Sequence, residues 1–125
     1  MSTIKVTNVQ DTSGGSSSTS AEIFKGRAKA WVNFNGTGTV AIRTSFNVAS
    51  ISDLGTGQYT INFTNAVSSD CCPVMFNSAW ATGAYTNFDN HYTGGITTGT
   101  TNVQVSSFSG SWADSNQFFV VIFGD

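Results

Sequence analysis

Charge is scarce in this chain. Five Lys and Arg and seven Asp and Glu amount to 10% of its 125 residues and leave a formal net charge of −2, against about 25% charged residues in ordinary globular domains. The only basic cluster is Lys25, Arg27 and Lys29. Phosphate contacts need a wide field of cations, so no nucleic-acid partner is expected. No apolar run approaches the roughly 18 residues of a membrane-crossing helix, and no membrane insertion is expected. The first ten residues lack the apolar stretch of a signal peptide, which predicts a protein made and held in a cytoplasm until it is used.

Cysteine, histidine and proline are also nearly missing. The two cysteines, Cys71 and Cys72, are adjacent, so they cannot close the long loop of an ordinary stabilising disulfide. They read as two reduced thiols at a strand entrance before Pro73, with a strained vicinal disulfide as the alternative. No second Cys or His pair completes a metal set. The single histidine, His91, lies beside Asp89 and Asn90. Serines abound, but no nucleophile elbow or oxyanion motif accompanies them. The seven acids are well separated, without a glycosidase-like pair. Asp89, Asn90 and Asp114 have no calcium-loop spacing. An enzyme is therefore not expected, and neither a cofactor nor a metal is.

What the chain has instead is aromatic bulk and hydroxyls. Ten Phe, three Trp and three Tyr supply the apolar surface of one core, in a length suited to one domain. Ser, Thr, Asn and Gly fill the remaining surface and carry little helix preference. Thr3–Val9 alternates as a half-buried strand would, with Ile4 and Val6 facing one way. Asp11–Ser20, DTSGGSSSTS, reads as a flexible linker. A lone strand before a linker cannot fold by itself. Residues 1–20 are thus expected to form an extended anchoring arm, with Ile4 and Val6 as its contacts, and residues 21–125 a head.

In the head, Ala28, Ala30, Val32 and Phe34 alternate with Lys29, Trp31 and Asn33. Asn35-Gly36 then signals a hairpin. Val40–Thr44 follows as a strand, with a further strand around Val48 and Ile51. Asp53–Gly57 forms a turn with two glycines available for positive φ. Tyr59, Ile61 and Phe63 mark the clearest strand. Pro73–Trp80, Val103–Val105 and Phe118–Phe123 complete the set. Short strands between glycine turns predict an all-β fold, an antiparallel β-sandwich of jelly-roll-like form. Phe118–Phe123 is apolar on both faces, so it is expected either at the centre of two layers or against a second subunit.

Residues 28–66, AKAWVNFNGTGTVAIRTSFNVASISDLGTGQYTINFTNA, resemble a segment that recurs in bacteriophage tail-fibre and virion structural proteins. The match runs through Lys29–Gly38, Val40–Arg43, Phe46–Val48, Gly55–Gly57 and Tyr59–Phe63, about a third of the chain. Ser2–Val6 is similar to the segment that often precedes it. The resemblance ends at Ser68-Ser69-Asp70-Cys71-Cys72-Pro73. It implies a virion structural protein (tail fibre, capsid fibre or decoration protein) assembled in a bacterial host cytoplasm, whose partners are other virion proteins and two further copies of itself in a homotrimer. Trp31, Phe119, Val121 and Phe123 are the candidate oligomer contacts. Trp80, Tyr85, Phe88, His91, Tyr92 and Trp112 fall in or near polar segments. They either contact a receptor such as a host surface glycan or cap the ends of the core. A carbohydrate-binding module without a main structural role is the alternative.

Overall fold

The computed structural model describes residues 1–68, 72–79, 97–104 and 111–124, with 72–79 described by its strand pairing. The chain runs β1 (Asn8–Gln10), β2 (Ser17–Thr19), α1 (Ser20–Gly26), β3 (Ala30–Asn35), β4 (Ala41–Phe46), β5 (Val48–Gly55), β6 (Gln58–Phe63), β7 (Cys72–Ala79), β8 (Thr100–Gln104) and β9 (Gln117–Phe123). Three sheets result, of order β1-β2, β4-β3-β9-β7 and β5-β6-β8, and every pairing is antiparallel. The fold is all-β, as the alternation predicts. The eight strands of a jelly roll are not all in evidence: among the described residues, seven strands form the two larger sheets.

Those two sheets share one core. Ala30, Val32 and Phe34 of β3 and Phe118, Val120 and Ile122 of β9 meet Tyr59, Ile61 and Phe63 of β6 and Val103 of β8. The strict alternation of buried and half-buried residues along β3, β6 and β8 is the period of two that the sequence displays. β9 lies between β3 and β7, so its backbone is paired on both sides. Phe118, Val120 and Ile122 face the core and are buried; Phe119, Val121 and Phe123 face the other way. The six-residue apolar run thus reflects a central strand with a second, outward apolar face.

Three rings tie the sheets together. Phe34 stacks on its cross-strand partner Phe118 with centroids 4.8 Å apart. Tyr59, from the other sheet, meets both rings edge-on at 5.2 and 5.0 Å. Its hydroxyl lies 2.9 Å from the Gly36 carbonyl and 2.8 Å from Asp114 Oδ1, so one proton serves two acceptors. Asp114 Oδ1 also accepts the Gly57 N–H at 2.7 Å, and the Gly36 N–H donates to the Ser115 carbonyl at 2.9 Å. Burial, and then the neighbouring Asp114 carboxylate, push the Tyr59 hydroxyl well above its ordinary 10.0; the ring is locked in its neutral form.

The other end is fastened by Asn47, the single residue between β4 and β5, where the chain passes from one sheet to the other. It adopts φ 57°, a left-handed conformation that asparagine tolerates. Its Nδ2 donates to the carbonyls of Lys29 at 3.0 Å and Asn65 at 3.1 Å. Its Oδ1 accepts from Asn65 N at 2.8 Å and Asn65 Nδ2 at 3.2 Å.

One core group fits poorly. Thr101, on β8, is buried, and its Oγ1 has no hydrogen-bond partner among the described residues. An unmet buried hydroxyl costs free energy that a methyl of the same shape does not. Thr101→Val is expected to stabilise the protein by about 1 kcal/mol, read as a higher urea midpoint with an unchanged slope.

The N-terminal region departs from the expected strand and linker. The strand is only Asn8–Gln10, and the supposed linker closes a hairpin onto β2. Asp11 N donates to the Ser16 carbonyl at 3.0 Å and Gly14 N to the Asp11 carbonyl at 3.2 Å, with Gly14 at φ 75°. Ile4 and Val6 precede the hairpin and are exposed. Composition does not predict helix α1. It forms because Thr19 caps it: Glu22 N donates to Thr19 Oγ1 at 3.1 Å, and Thr19 N donates to Glu22 Oε2 at 2.7 Å. This reciprocal pair satisfies donors that a helix start leaves open, and the bonds from Thr19 hold the Glu22 carboxyl below its ordinary value.

Candidate functional site

Among the described residues, the outward face of the four-stranded sheet gathers several large apolar side chains. Strand register fixes which residues share it. Trp31 of β3 sits opposite Phe46 of β4 on one side and Val121 of β9 on the other, and Val121 pairs with Val74 of β7. In the next row Asn33 lies between Thr44 and Phe119, and Phe119 pairs with Asn77. Side chains directly opposite in an antiparallel pair project to the same face. Three aromatic residues and a valine therefore form one patch across three strands. The Trp31 and Phe119 rings lie 6.3 Å apart.

Coverage of this patch is incomplete. Val121 is 8% exposed, screened by its larger neighbours, whereas Phe46 is 48% exposed and Phe123, further along β9, 37%. Trp31 and Phe119 are half-buried. A β-bulge in the β3–β4 pairing, between Asn33 and Phe34, leaves Arg43 as the unpaired residue. Its guanidinium reaches Asn33 Oδ1 at 3.4 Å and the Asn116 carbonyl, which places a cation beside the lower row. Contiguous exposed apolar surface rimmed by polar groups marks an interaction site more often than a free surface.

No family model matches this chain, and neither a curated protein nor a solved structure does.

The structure brings Trp31, Phe119 and Val121 together as neighbours and puts Phe123 on the same face of the same strand. Phe46 lies beyond the Val40–Thr44 strand that the sequence predicts; it is one alternation step past Thr44 and shares its face, while the bulge at Arg43 leaves Ile42, opposite Phe34, on the other face. Trp112 is 39% exposed and lies in an isolated bridge outside this patch. Trp80, Tyr85, Phe88, His91 and Tyr92 lie outside the described residues, as does Cys71. Ile4 and Val6 are exposed, and among the described residues no strand pairs with them.

Proposed function

We propose that this chain is a structural module of a bacteriophage particle, of the tail-fibre, capsid-fibre or decoration kind, that assembles as a homotrimer through the outward face of its four-stranded sheet. One observation carries the self-association: Phe46, Trp31, Val121 and Phe119 form a continuous, partly exposed apolar patch across three neighbouring strands, edge strand β4 and the inner strands β3 and β9. Full burial of a large apolar side chain is worth roughly 1.5–3 kcal/mol, and half-buried ones retain part of that gain. Several such side chains placed together can offset the cost of association. Regular strands hold them in place before contact, which lowers that cost.

The phage setting rests on the resemblance of residues 28–66, and threefold assembly follows from that same resemblance. Ile4 and Val6, which are exposed, are the proposed contacts to other virion proteins. A host surface glycan is the proposed outward partner.

Replacing Trp31 and Phe119 together by Ser is expected to dissociate the assembly into monomers that keep the native far-UV spectrum, because neither side chain belongs to the shared core. Sedimentation velocity at micromolar concentration checks this. Unchanged sedimentation of the double variant would remove the outward face from the reading. Electron microscopy of phage particles labelled with an antibody to this chain tests the setting, and an absence of label on intact particles would count against it.

A further inference from the structure

Where α1 runs into β3 the chain builds a cleft of about 400 Å3, within the size range of small-molecule sites. Phe24, Arg27 and Lys29 form one wall, and Phe46 and Asn47 stand at the corner between sheets. The segment 64–68 after β6 closes it. Two of the chain's five basic residues line this cleft, and among the described residues no Asp or Glu does. In a chain of net charge −2 that concentration is local and specific.

Both cations are positioned by the same ring. Lys29 Nζ lies 3.5 Å from the Phe24 ring centroid and donates to the Phe24 carbonyl at 2.8 Å. The Arg27 guanidinium lies over that ring at 5.0 Å. Cation–π contacts of this kind orient a charge without neutralising it. An ammonium has three donors and a guanidinium five, so both groups retain donor capacity for a ligand. Two like charges held over one ring raise the local positive potential, which favours an anionic ligand. The rest of the lining is of a different character. Phe46 is half-exposed, Ala28 and Ala66 add small apolar surfaces, and Thr64 and Asn65 supply a hydroxyl and an amide. A charged wall beside an aromatic side chain and polar groups matches a sugar ring carrying one acidic group: acid to the cations, apolar ring face to the aromatic side chain.

We propose that this cleft binds an acidic saccharide unit, with its carboxylate or phosphate held by Arg27 and Lys29 and its ring against Phe46. The cleft is built within one chain, and a saccharide reaches Phe46 only where a subunit interface leaves that ring uncovered. Phe46 belongs both to the cleft and to the outward face, so the oligomeric state is measured by light scattering in the samples used for binding.

The test is a titration of the isotopically labelled full chain at low salt with glucuronate, glucose 6-phosphate, glucose and inorganic phosphate, following the amide signals of Arg27, Lys29 and Phe46. Glucuronate and glucose 6-phosphate are expected to bind about tenfold more tightly than either glucose or phosphate alone. Arg27→Gln is expected to weaken glucuronate binding several-fold, and Arg27→Lys to restore most of it. Arg27 is exposed, and unchanged signals from the β3, β6 and β9 strands verify the fold of each variant. Equal binding of glucose would show that the acid is not recognised and would overturn the proposal. Equal binding of inorganic phosphate would reduce the cleft to a bare anion site, which overturns it as well. So would the absence of any shift at the three signals with glucuronate, or unchanged glucuronate affinity in Arg27→Gln.

Discussion

Gly36→Ala is expected to cost roughly 3 kcal/mol, at the upper end of what one added methyl does in a packed core. Gly36 does not have a positive φ, so the reason is space. A Cβ built there lies 2.5 Å from Phe118 Cε2 and 2.5 Å from Tyr59 Oη, with Tyr59 Cζ at 2.8 Å. Both neighbours are fully buried rings locked in the stack with Phe34. Neither can yield without breaking ring contacts or withdrawing the Tyr59 hydroxyl from Gly36 and Asp114. Gly38 supplies the comparison: it has φ 64° and open space at its Cβ. Gly38→Ala should cost only the backbone strain, about 1 kcal/mol. Urea denaturation of both variants checks the ordering. A Gly36→Ala protein as stable as Gly38→Ala would mean that the ring cluster does not close over this turn.

Asn47→Ala is expected to cost about 2–3 kcal/mol. The substitution removes both ends of an amide that binds Lys29 and Asn65 and leaves alanine in a left-handed conformation it disfavours. Net hydrogen bonds are worth about 1 kcal/mol each, and these are only partly shielded from water. Two further variants separate the contributions. Asn47→Gly relieves the backbone but keeps the amide loss, so it should recover about 1 kcal/mol relative to Ala. Asn47→Asp keeps the acceptor and the tolerant backbone but replaces the donor with an oxygen facing two carbonyls, so it should remain well below the native protein. The thermal midpoints of the three variants give the order directly. An Asn47→Ala variant indistinguishable from native would show that the corner between the sheets is held elsewhere.

These two positions illustrate what is legible in the sequence and what is not. The strands β3, β6 and β9 are readable because each is an apolar–polar alternation or an apolar run between glycine-rich turns, and period two is a local property. The outward placement of Trp31 and Phe119 follows from that same alternation. Asn35-Gly36 signals the β3–β4 hairpin, but the local turn rule misses why Gly36 matters. The chain needs room there for Tyr59 and Phe118, residues far along the sequence that reach Gly36 only after the two sheets pack. Asn47 is likewise an ordinary polar residue until Lys29 and Asn65 are brought to it, each 18 positions away. The helix α1 was hidden for a different reason. Its signal, Thr19 followed three residues later by Glu22, sits at the end of a Ser, Thr and Gly run whose composition argues for a linker. A specific capping pair outweighs that average. In the sequence the basic cluster Lys25, Arg27 and Lys29 is legible only as too small a field of cations for nucleic acid. Its relation to Phe24, Phe46 and the 64–68 segment depends on the fold.

The outward face of the four-stranded sheet makes a direct claim about mass. Multi-angle light scattering on the purified full chain, across a dilution series through micromolar concentration, tests it most directly. The native chain is expected to form a species of three chains that gives way to monomer when Trp31 and Phe119 are replaced by Ser. A monodisperse species of 13.2 kDa for the native chain throughout the series would contradict it.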